Sequence, residues 1–343
     1  MTMQRARSAA TATFPDRTIR SVEDLNRGRG VFSEVYRVEF EPSAGGGPVS
    51  IAVKLGVEGP NGDAARRSGA YDREALAYRQ LLPHLDVHAP TCHAVIDDPL
   101  GPALVLEDLS AHRIVDQLDG LSPDDAVARI AAALGRLHRS SRPTVATDDK
   151  SATNDGATVS GVRSNTVAGL DPGALRLGLA TLADRWSDTV SPGELAAFTR
   201  LVDAQDAVAA RFADAGPSVL CHGDPRADNL VFRPDDGQPV FFDWQQIAQQ
   251  PGVGDLAWML ATSLEPATRR TVEHDALATY GAAAGIEIDH DSLRAGFALP
   301  ALAVLFLAQR QAVDARTTAF IATSLRRIAQ AVLDLDLVGL IDC

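Results

Sequence analysis

The periodicity of apolar residues changes near residue 109 of this 343-residue chain, and this change limits the possible folds most. Before that point the patterns are those of strands, with one helical stretch at 63–82. After it, helical spacing dominates almost to the end of the chain. We therefore predict an α+β fold of two lobes, a small antiparallel β-rich N-terminal lobe with one helix and a larger, mainly helical C-terminal lobe.

The strand patterns pair into hairpins. Residues 32–40 (FSEVYRVEF) and 49–55 (VSIAVKL) flank a glycine-rich turn, and 92–109 (CHAVIDDPLGPALVLEDL) predicts a second hairpin. We assign residues 1–20 to a flexible tail, 21–109 to the N-terminal lobe and 110–343 to the C-terminal lobe. Residues 142–169 are polar and without periodicity, which predicts a long loop.

Composition narrows the class of protein. The net charge of −13 argues against nucleic acid as a partner, since phosphate-backbone binding needs clustered Lys and Arg. Three widely spaced cysteines suggest no disulfide framework or zinc site and favour a cytoplasmic location. No uninterrupted apolar run approaches the ~20 residues of a membrane span, so we expect no membrane partner.

One predicted hairpin interrupts the helical half, within residues 221–244 (CHGDPRADNLVFRPDDGQPVFFDW). Asp224 and Asn229 precede its first apolar run, and Asp243 follows its second. Phosphoryl transfer needs a carboxylate near the attacking hydroxyl, and oxygen ligands for Mg²⁺. The hairpin is predicted to bring Asn229 and Asp243 together, and this pattern favours phosphoryl transfer over a capped turn with a solvated strand end.

The stretch His222-Gly-Asp-Pro-Arg-Ala-Asp-Asn229, followed by Phe242-Asp-Trp244, resembles the aminoglycoside phosphotransferase and choline-kinase-like family. The resemblance runs from about residue 21 to the C-terminal helices and implies the two-lobed protein-kinase-like fold. It also implies ATP- and Mg²⁺-dependent phosphorylation of a small-molecule hydroxyl. By this resemblance Asp224 is the catalytic base, Asn229 a metal ligand and Asp243 the main metal ligand.

The N-terminal lobe offers an independent check. Residues 28–35 (GRGVFSEV) match a phosphate-binding loop at Gly28 and Gly30, with Ser33 at the position of the third glycine. An ordinary hairpin turn explains two glycines equally well. Lys54 ends the pattern Ile-Ala-Val-Lys on the next strand, and Glu74 on the following helix is its expected partner. We expect Lys54 to reach the α- and β-phosphates and to face them rather than the core.

Other residues receive roles by position in a kinase-like fold. The main-chain groups of Glu107 and Leu109 are expected to bind adenine. Arg226 either neutralises the transferring phosphate or pairs with Asp228, and both alternatives stay open. His222 is expected to pack beneath the catalytic loop, and Asp255 to act as a helix N-cap and a brace for that loop.

Differences from protein kinases bear on the substrate. Gly223 replaces the arginine of His-Arg-Asp, Trp-Gln follows Asp243, and no Ala-Pro-Glu segment is found. These differences argue against a protein substrate. A nucleotidyltransferase of kinase fold is the first alternative, and a pseudokinase that only binds nucleotide is the second.

The acceptor is a small molecule that the sequence does not identify. An aminoglycoside, an amino sugar, a sugar, an amino alcohol or a macrolide would each fit the family. Acidic residues of the C-terminal helices could bind a cationic acceptor or could simply be solvated: Asp184, Asp188, Glu265, Glu273 and Asp275.

Overall fold

A computed structural model of the chain describes residues 2–25, 32–43, 45–122, 126–146, 162–164, 167–312 and 314–341. The chain divides into two compact units. The first comprises Met1–Arg113, Phe232–Asp236 and Val240–Gln246, and the second comprises Ile114–Val231, Gly237–Pro239 and Ile247–Cys343. Two pieces of the predicted hairpin thus belong to the first unit, although the rest of the C-terminal part of the chain does not.

The first unit is built on an antiparallel sheet. Its strands are β1 (Ile19–Asp24), β2 (Ser33–Phe40), β3 (Ser50–Gly56), β4 (Cys92–Ile96) and β5 (Ala103–Glu107), in the order β1-β2-β3-β5-β4. Both predicted hairpins are present in this sheet. Along β3 the side chains of Ile51, Val53 and Leu55 enter the core on one face. Because successive side chains point to opposite faces, Lys54 lies on the other face.

The flexible tail predicted for residues 1–20 is wrong for its described part. Helix α1 (Thr2–Thr13) buries Ala6, Ala9 and Ala10 in the sheet core. Alanine favours helix and allows close packing, so this helix can lie flat on strands. Arg5 fixes it further by pairing with Asp98 and donating to the carbonyl of Gly56 at 3.2 Å.

The single helix predicted at 63–82 is instead interrupted. It comprises α2 (Gly59–Arg67), α3 (Ala70–Leu76), a π-helical turn (Ala77–Leu81) and a 3₁₀ turn (Leu82–His84). Gly69 separates the first two pieces with φ of 66°, a left-handed conformation that glycine adopts without steric cost. Helical spacing alone does not reveal such a break.

The second unit is mainly helical. Its helices are α4 (Ala126–Ala146), α5 (Pro172–Arg185), α6 (Pro192–Asp203), α7 (Gln205–Ala213), α8 (Val253–Ser263), α9 (Pro266–Ala284), α10 (His290–Gly296), α11 (Ala298–Ala308) and α12 (Ala315–Asp334). Helix α4 extends into the predicted loop at 142–169, of which residues 147–161 lie outside the described part. Several helices begin at side-chain caps, for example the capping box of Ser191 and Glu194 in α6.

Short strands complete the fold. Strands β7 (Arg163–Ser164), β8 (Ser218–Cys221) and β11 (Ala248–Pro251) form a sheet in the order β7-β11-β8. Strands β6 (Arg113–Ile114), β9 (Leu230–Phe232) and β10 (Pro239–Phe241) form another, in the order β10-β9-β6. The hairpin predicted around the chemistry-bearing residues is therefore present as β9 and β10.

One stretch departs from the expectation of no membrane-spanning segment. Residues His290–Ala308, which include α10 and α11, are long and apolar enough to cross a membrane by composition, with a mean hydropathy of 1.5. Two thirds of this stretch, 67%, is buried inside the structure. A core helix shows the same composition, and its burial accounts for this one.

Candidate active site

Lys54 lies between two carboxylates of the first unit. Its Nζ is 2.7 Å from Glu74 Oε2 and 2.8 Å from Asp243 Oδ1. The pairing of Lys54 with the helix glutamate is therefore present, with Glu74 on α3. Lys54 is only 8% exposed although it lies on the sheet face opposite to the core residues Ile51 and Val53, and its expected position facing the phosphates stays a prediction. Its ammonium group neutralises two acids in a mostly buried place.

The charges of Lys54, Glu74 and Asp243 depend on each other. Burial opposes the charge of Lys54, but the carboxylates of Asp243 and Glu74 outweigh burial and raise the pKa of the lysine. Burial raises the pKa of Glu74 to about 6, with Lys54 opposing the shift and Asp243 adding to it. The ammonium group of Lys54 is thus the charge that favours the ionised form of Glu74.

Asp243 has an unusual backbone conformation just after β10. Its φ is 65°, in the left-handed region that few non-glycine residues adopt. Aspartate tolerates this region better than most residues, and such conformations concentrate at functional sites. The turn places Oδ1 at Lys54, while Gln245 Nε2 donates to Oδ2 at 3.2 Å. Gln245 is a contact that the sequence analysis did not assign.

The other residues predicted to bind nucleotide either lie outside the described part of the chain or have main-chain groups that are already bonded within the protein. Gly28 and Gly30 lie outside the described residues, and Ser33 is the first residue of β2. The N–H of Glu107 donates to the carbonyl of Thr91 at 2.8 Å, so the sheet already uses the amide that we expected to meet adenine. The carbonyl of Leu109 accepts from the N–H of His112 at 2.9 Å. The adenine role stays a prediction for the remaining main-chain groups of Glu107 and Leu109.

Asp224 of the second unit is held by three side chains. Trp258 Nε1 donates to Oδ1 at 2.8 Å, and Asn229 Nδ2 donates to Oδ2 at 3.0 Å. Arg226 Nη1 lies 3.0 Å from the same Oδ2. Asp224 is 8% exposed, so this carboxylate is nearly buried and is fixed on both oxygens. Trp258 is a residue of the site that sequence reasoning missed, although it lies in the segment GVGDLAWML.

One of the two positions expected for Arg226 is excluded by its ion pair. It pairs with Asp224 rather than with Asp228, which accepts from the N–H of Gln117 at 2.9 Å. Its guanidinium also lies 5.4 Å from the centre of the Phe320 ring. The pairing with Asp228 is therefore wrong, and a contact with the transferring phosphate stays a prediction.

Asn229 presents its amide in one orientation. Its Nδ2 donates both to the carboxylate and to the main-chain carbonyl of Asp224, the latter at 2.9 Å. This use of the nitrogen leaves the side-chain oxygen as the atom suited to a hard cation. The side-chain oxygen of Asn229 and the carboxylate of Asp243 are each a type of ligand that Mg²⁺ prefers, and their role as metal ligands stays a prediction.

Asp255 braces the loop before Asp224, as predicted. Its carboxylate accepts from the main-chain N–H of His222 at 2.7 Å and of Gly223 at 3.0 Å. It is not the N-cap of α8, which is Gly252, but lies in the first turn. Gly223 has φ of 83°, which explains why glycine replaces a larger residue between His222 and Asp224.

His222 is fully buried, and its Nδ1 accepts from the N–H of Asp224 at 3.2 Å. A second buried histidine, His138 of α4, supports the brace. Its Nε2 is 3.3 Å from Asp255, and its Nδ1 is 2.9 Å from the hydroxyl of Tyr280. The loop around Asp224 is therefore fixed from beneath by buried polar groups.

Of the acids named for a cationic acceptor, Asp188 and Glu265 line one pocket together with Arg270 and Arg326. Glu265 binds Arg326 and Arg327, and Glu273 pairs with Arg269. The others, Asp184, Asp188 and Asp275, are exposed. The two acids that are less exposed already have cationic partners within the protein.

The comparisons with known proteins fit this geometry. The sequence profile of the phosphotransferase enzyme family, APH, matches residues 57–295, more than half of the chain. The chain belongs to this family. No curated protein sequence matches this phosphotransferase.

Solved structures of low sequence identity share the fold of this phosphotransferase. The GDP complex of an aminoglycoside 2′-phosphotransferase is 16% identical with a TM-score of 0.60, over 97% of this chain and 98% of that chain. The choline kinase LicA from Streptococcus pneumoniae is 15% identical with a TM-score of 0.55, over 96% and 99%. A microcompartment-associated aminopropanol kinase is 17% identical with a TM-score of 0.58, over 98% and 99%. The α+β, protein-kinase-like fold predicted from the sequence is confirmed.

Proposed function

We propose that this phosphotransferase transfers the γ-phosphate of ATP, bound with Mg²⁺, to a hydroxyl group of a small molecule. The observation that carries the proposal is the fixed carboxylate of Asp224, with donors on both oxygens, in a loop braced by Asp255. The names of structural neighbours support a small acceptor, since they include a choline kinase and an aminopropanol kinase.

Asp224 would orient the acceptor hydroxyl more than deprotonate it. Three donors already bind its two oxygens, so the carboxylate is held in one orientation from which it can accept a hydrogen bond from a hydroxyl. Phosphoryl transfer with a loose transition state needs little early proton removal, so orientation is the larger requirement. The proton would pass to Asp224 late, as the bond to phosphorus forms.

The cationic groups would balance the charge of the phosphates. Lys54 would contact the α- and β-phosphates while Glu74 keeps the ammonium group in place. Arg226, which pairs with Asp224 here, would neutralise charge on the transferring phosphate. Asp243 and the side-chain oxygen of Asn229 would hold Mg²⁺, which would offset the negative charge of the phosphates when bound.

Product analysis tests the proposal. The protein would be incubated with Mg-ATP and a panel of amino alcohols, sugars, amino sugars and hydroxy acids, and the nucleotide products separated by chromatography. ADP together with a phosphorylated acceptor, formed far more slowly by Asp224→Asn, is the expected result. Pyrophosphate with an adenylylated product would instead support nucleotidyl transfer. A raised melting temperature with Mg-ATP but no product across the panel would support the pseudokinase alternative.

A further inference from the structure

Helix α3 contacts the turn that follows Asp243 through a buried arginine. Arg73, the neighbour of Glu74 in the sequence, donates from Nε to the main-chain carbonyl of Gln245 at 3.1 Å. Its Nη1 donates to the carbonyl of Ser68, just before α3 begins. Arg73 is 8% exposed, so its guanidinium joins the helix and the turn inside the first unit.

The side chain of Gln245 returns to the carboxylate of Asp243. Its Nε2 donates to Asp243 Oδ2 at 3.2 Å, while Lys54 Nζ lies 2.8 Å from Oδ1. Because an ionised carboxylate only accepts hydrogen bonds, the nitrogen of the amide and not its oxygen must face Asp243. Both carboxylate oxygens are thus oriented, one by an ammonium group and the other by a neutral amide. The neutral donor fixes the carboxylate without cancelling more of its negative charge.

This arrangement is unfavourable for stability, which indicates that it serves another purpose. The amide orientation that suits Asp243 leaves Gln245 Oε1 buried without a hydrogen-bond partner among the described residues, and Gln245 is 9% exposed. A buried acceptor without a partner destabilises the folded state. Asp243 adds the strain of its left-handed φ of 65°. Strained or unsatisfied groups concentrate at functional sites, where the surrounding contacts maintain them.

We propose that Gln245 and Arg73 are positioning residues for the metal-binding carboxylate of Asp243. Gln245 orients the carboxylate, and Arg73 fixes the turn from which Gln245 acts. This inference rests on the proposed function, in which Asp243 holds Mg²⁺. Residues that orient a metal ligand contribute roughly 10- to 100-fold to metal affinity. Helix α3 would therefore serve the nucleotide site twice, through Glu74 at Lys54 and through Arg73 at the metal ligand.

Metal-dependent stabilisation tests the role of Gln245 without requiring turnover. The melting temperature of the protein with the non-hydrolysable analogue AMP-PNP would be followed as free Mg²⁺ is raised after EDTA treatment. Gln245→Met, which removes the donor at similar side-chain length, should raise the half-maximal Mg²⁺ concentration by roughly 10- to 100-fold. A glutamine with only a structural role would lower the melting temperature equally with and without Mg²⁺. An unchanged Mg²⁺ midpoint would therefore overturn the proposal.

Gln205→Met is the matched control for this substitution. Gln205 is 8% exposed, and its Nε2 donates to the carbonyls of Val167 and Leu170 at 3.1 and 2.8 Å. The control thus removes an amide of similar burial that binds main-chain carbonyls. It should lower the melting temperature and leave the Mg²⁺ midpoint unchanged. Equal shifts of the midpoint in the two variants would contradict a specific role of Gln245.

Arg73→Lys tests the second half of the proposal. Lysine keeps the positive charge, but its ammonium group does not reproduce the planar fork that reaches two carbonyls. The Mg²⁺ midpoint should shift in the same direction as in Gln245→Met, and the double variant should shift it no further than the larger single change. Additive shifts, or no shift, would show that Arg73 does not act through Gln245. Arg294→Lys, which alters a guanidinium bound to the carbonyls of Leu335 and Asp336, should leave the midpoint unchanged.

Asp243→Asn separates the failure of this inference from the failure of the proposed function. If Asp243→Asn shifts the Mg²⁺ midpoint and Gln245→Met does not, Asp243 holds the metal and the positioning role of Gln245 is wrong. If Mg²⁺ does not stabilise the AMP-PNP complex of the wild type, or Asp243→Asn leaves the midpoint unchanged, the metal role of Asp243 and the positioning role both fail.

Discussion

Trp258 Nε1 donates a hydrogen bond to Asp224 Oδ1 at 2.8 Å. This contact fixes the oxygen that Asn229 and Arg226 do not hold, so the indole prevents the carboxylate from turning. We predict that Trp258→Phe lowers kcat on the order of 10- to 100-fold, the value of one hydrogen bond to a charged group, with little change in the KM of Mg-ATP.

Steady-state kinetics check this split between kcat and KM. Trp186→Phe is the matched control, since its indole donates to the carbonyl of Ala308 at 3.1 Å and not to Asp224. That variant should lose stability and keep kcat. If both variants lower kcat alike, the indole of Trp258 has only a structural role.

Replacing Lys54 should cost stability as well as activity. In Lys54→Met the carboxylates of Glu74 and Asp243 lose their cation, which we expect to destabilise the protein by about 3 kcal/mol or more. The loss of stability in Lys54→Met should depend on pH. The pKa of Glu74 is already raised from 4.5 to about 6, and losing Lys54 raises it further. The folded state then binds the proton more tightly than the unfolded state, so stability falls as pH rises through this range.

Urea unfolding without Mg²⁺ at pH 5 and pH 8 measures this dependence. The deficit of Lys54→Met relative to the wild type should be larger at pH 8. Lys54→Met combined with Glu74→Gln is the control and should recover part of the loss at pH 8. A deficit that is the same at both pH values would show that the lysine does not stabilise Glu74.

Glu265 should stabilise the fold only above acidic pH. Hydrogen bonds from Arg326, opposed by burial and aided by Arg327, lower the pKa of Glu265 to about 2. The stabilisation of the fold by Glu265 is therefore complete above pH 4.5, the ordinary pKa of a glutamate, and is lost as the pH falls towards 2. Because the side chain is 42% exposed, solvent screening limits the effect to roughly 1 kcal/mol.

We predict that Glu265→Gln lowers the urea midpoint at pH 7 and that its difference from the wild type shrinks below pH 4.5. Asp291→Asn, in an exposed pair with Arg294, is the control and should change little at either pH. A difference that grows on acidification would contradict the assigned sign.

Gly135 permits the close crossing of α4 and α9. A Cβ at this position would lie 2.7 Å from Ala283 Cβ and 2.7 Å from the carbonyl of Tyr280. We predict that Gly135→Ala destabilises the second unit by about 1–3 kcal/mol, although alanine favours helix. Gly193→Ala in α6, where nothing lies within 4 Å of the added Cβ, should be neutral or stabilising. Equal urea midpoints for the two variants would contradict this packing.

Much of the fold could be predicted from local patterns. Alternation and turn residues gave the hairpins of the first sheet, because half-buried strands impose a period of two. The order of Lys54 and Glu74 along the chain predicted their pairing, whereas the ion pair of Lys54 with Asp243, assigned only to metal binding, was not predicted. Helix α1 was missed because its buried residues are alanines, which carry little apolar signal, among arginines and threonines.

The features that could not be predicted depend on contacts between residues that are distant in the chain. Trp258 lies 34 positions from Asp224, and an indole N–H that meets a carboxylate has no signature in the sequence. The ion pairs of Glu265 could not be predicted either, since Arg326 and Arg327 lie about sixty residues further along the chain.

Asp224 and Asp243 have different tasks in the proposed reaction. Asp243→Asn should weaken the binding of Mg-ATP as well as turnover, because an amide is a poorer, uncharged ligand for a hard cation. Asp224→Asn should keep Mg-ATP affinity nearly unchanged and reduce kcat by roughly 10²- to 10⁴-fold. Calorimetry of Mg-ATP binding to both variants, beside their rates of ADP formation, measures this contrast. We expect Asp224→Asn to bind Mg-ATP almost as tightly as the wild type and Asp243→Asn to bind it more weakly. Loss of Mg-ATP binding in Asp224→Asn with retention in Asp243→Asn would contradict these roles.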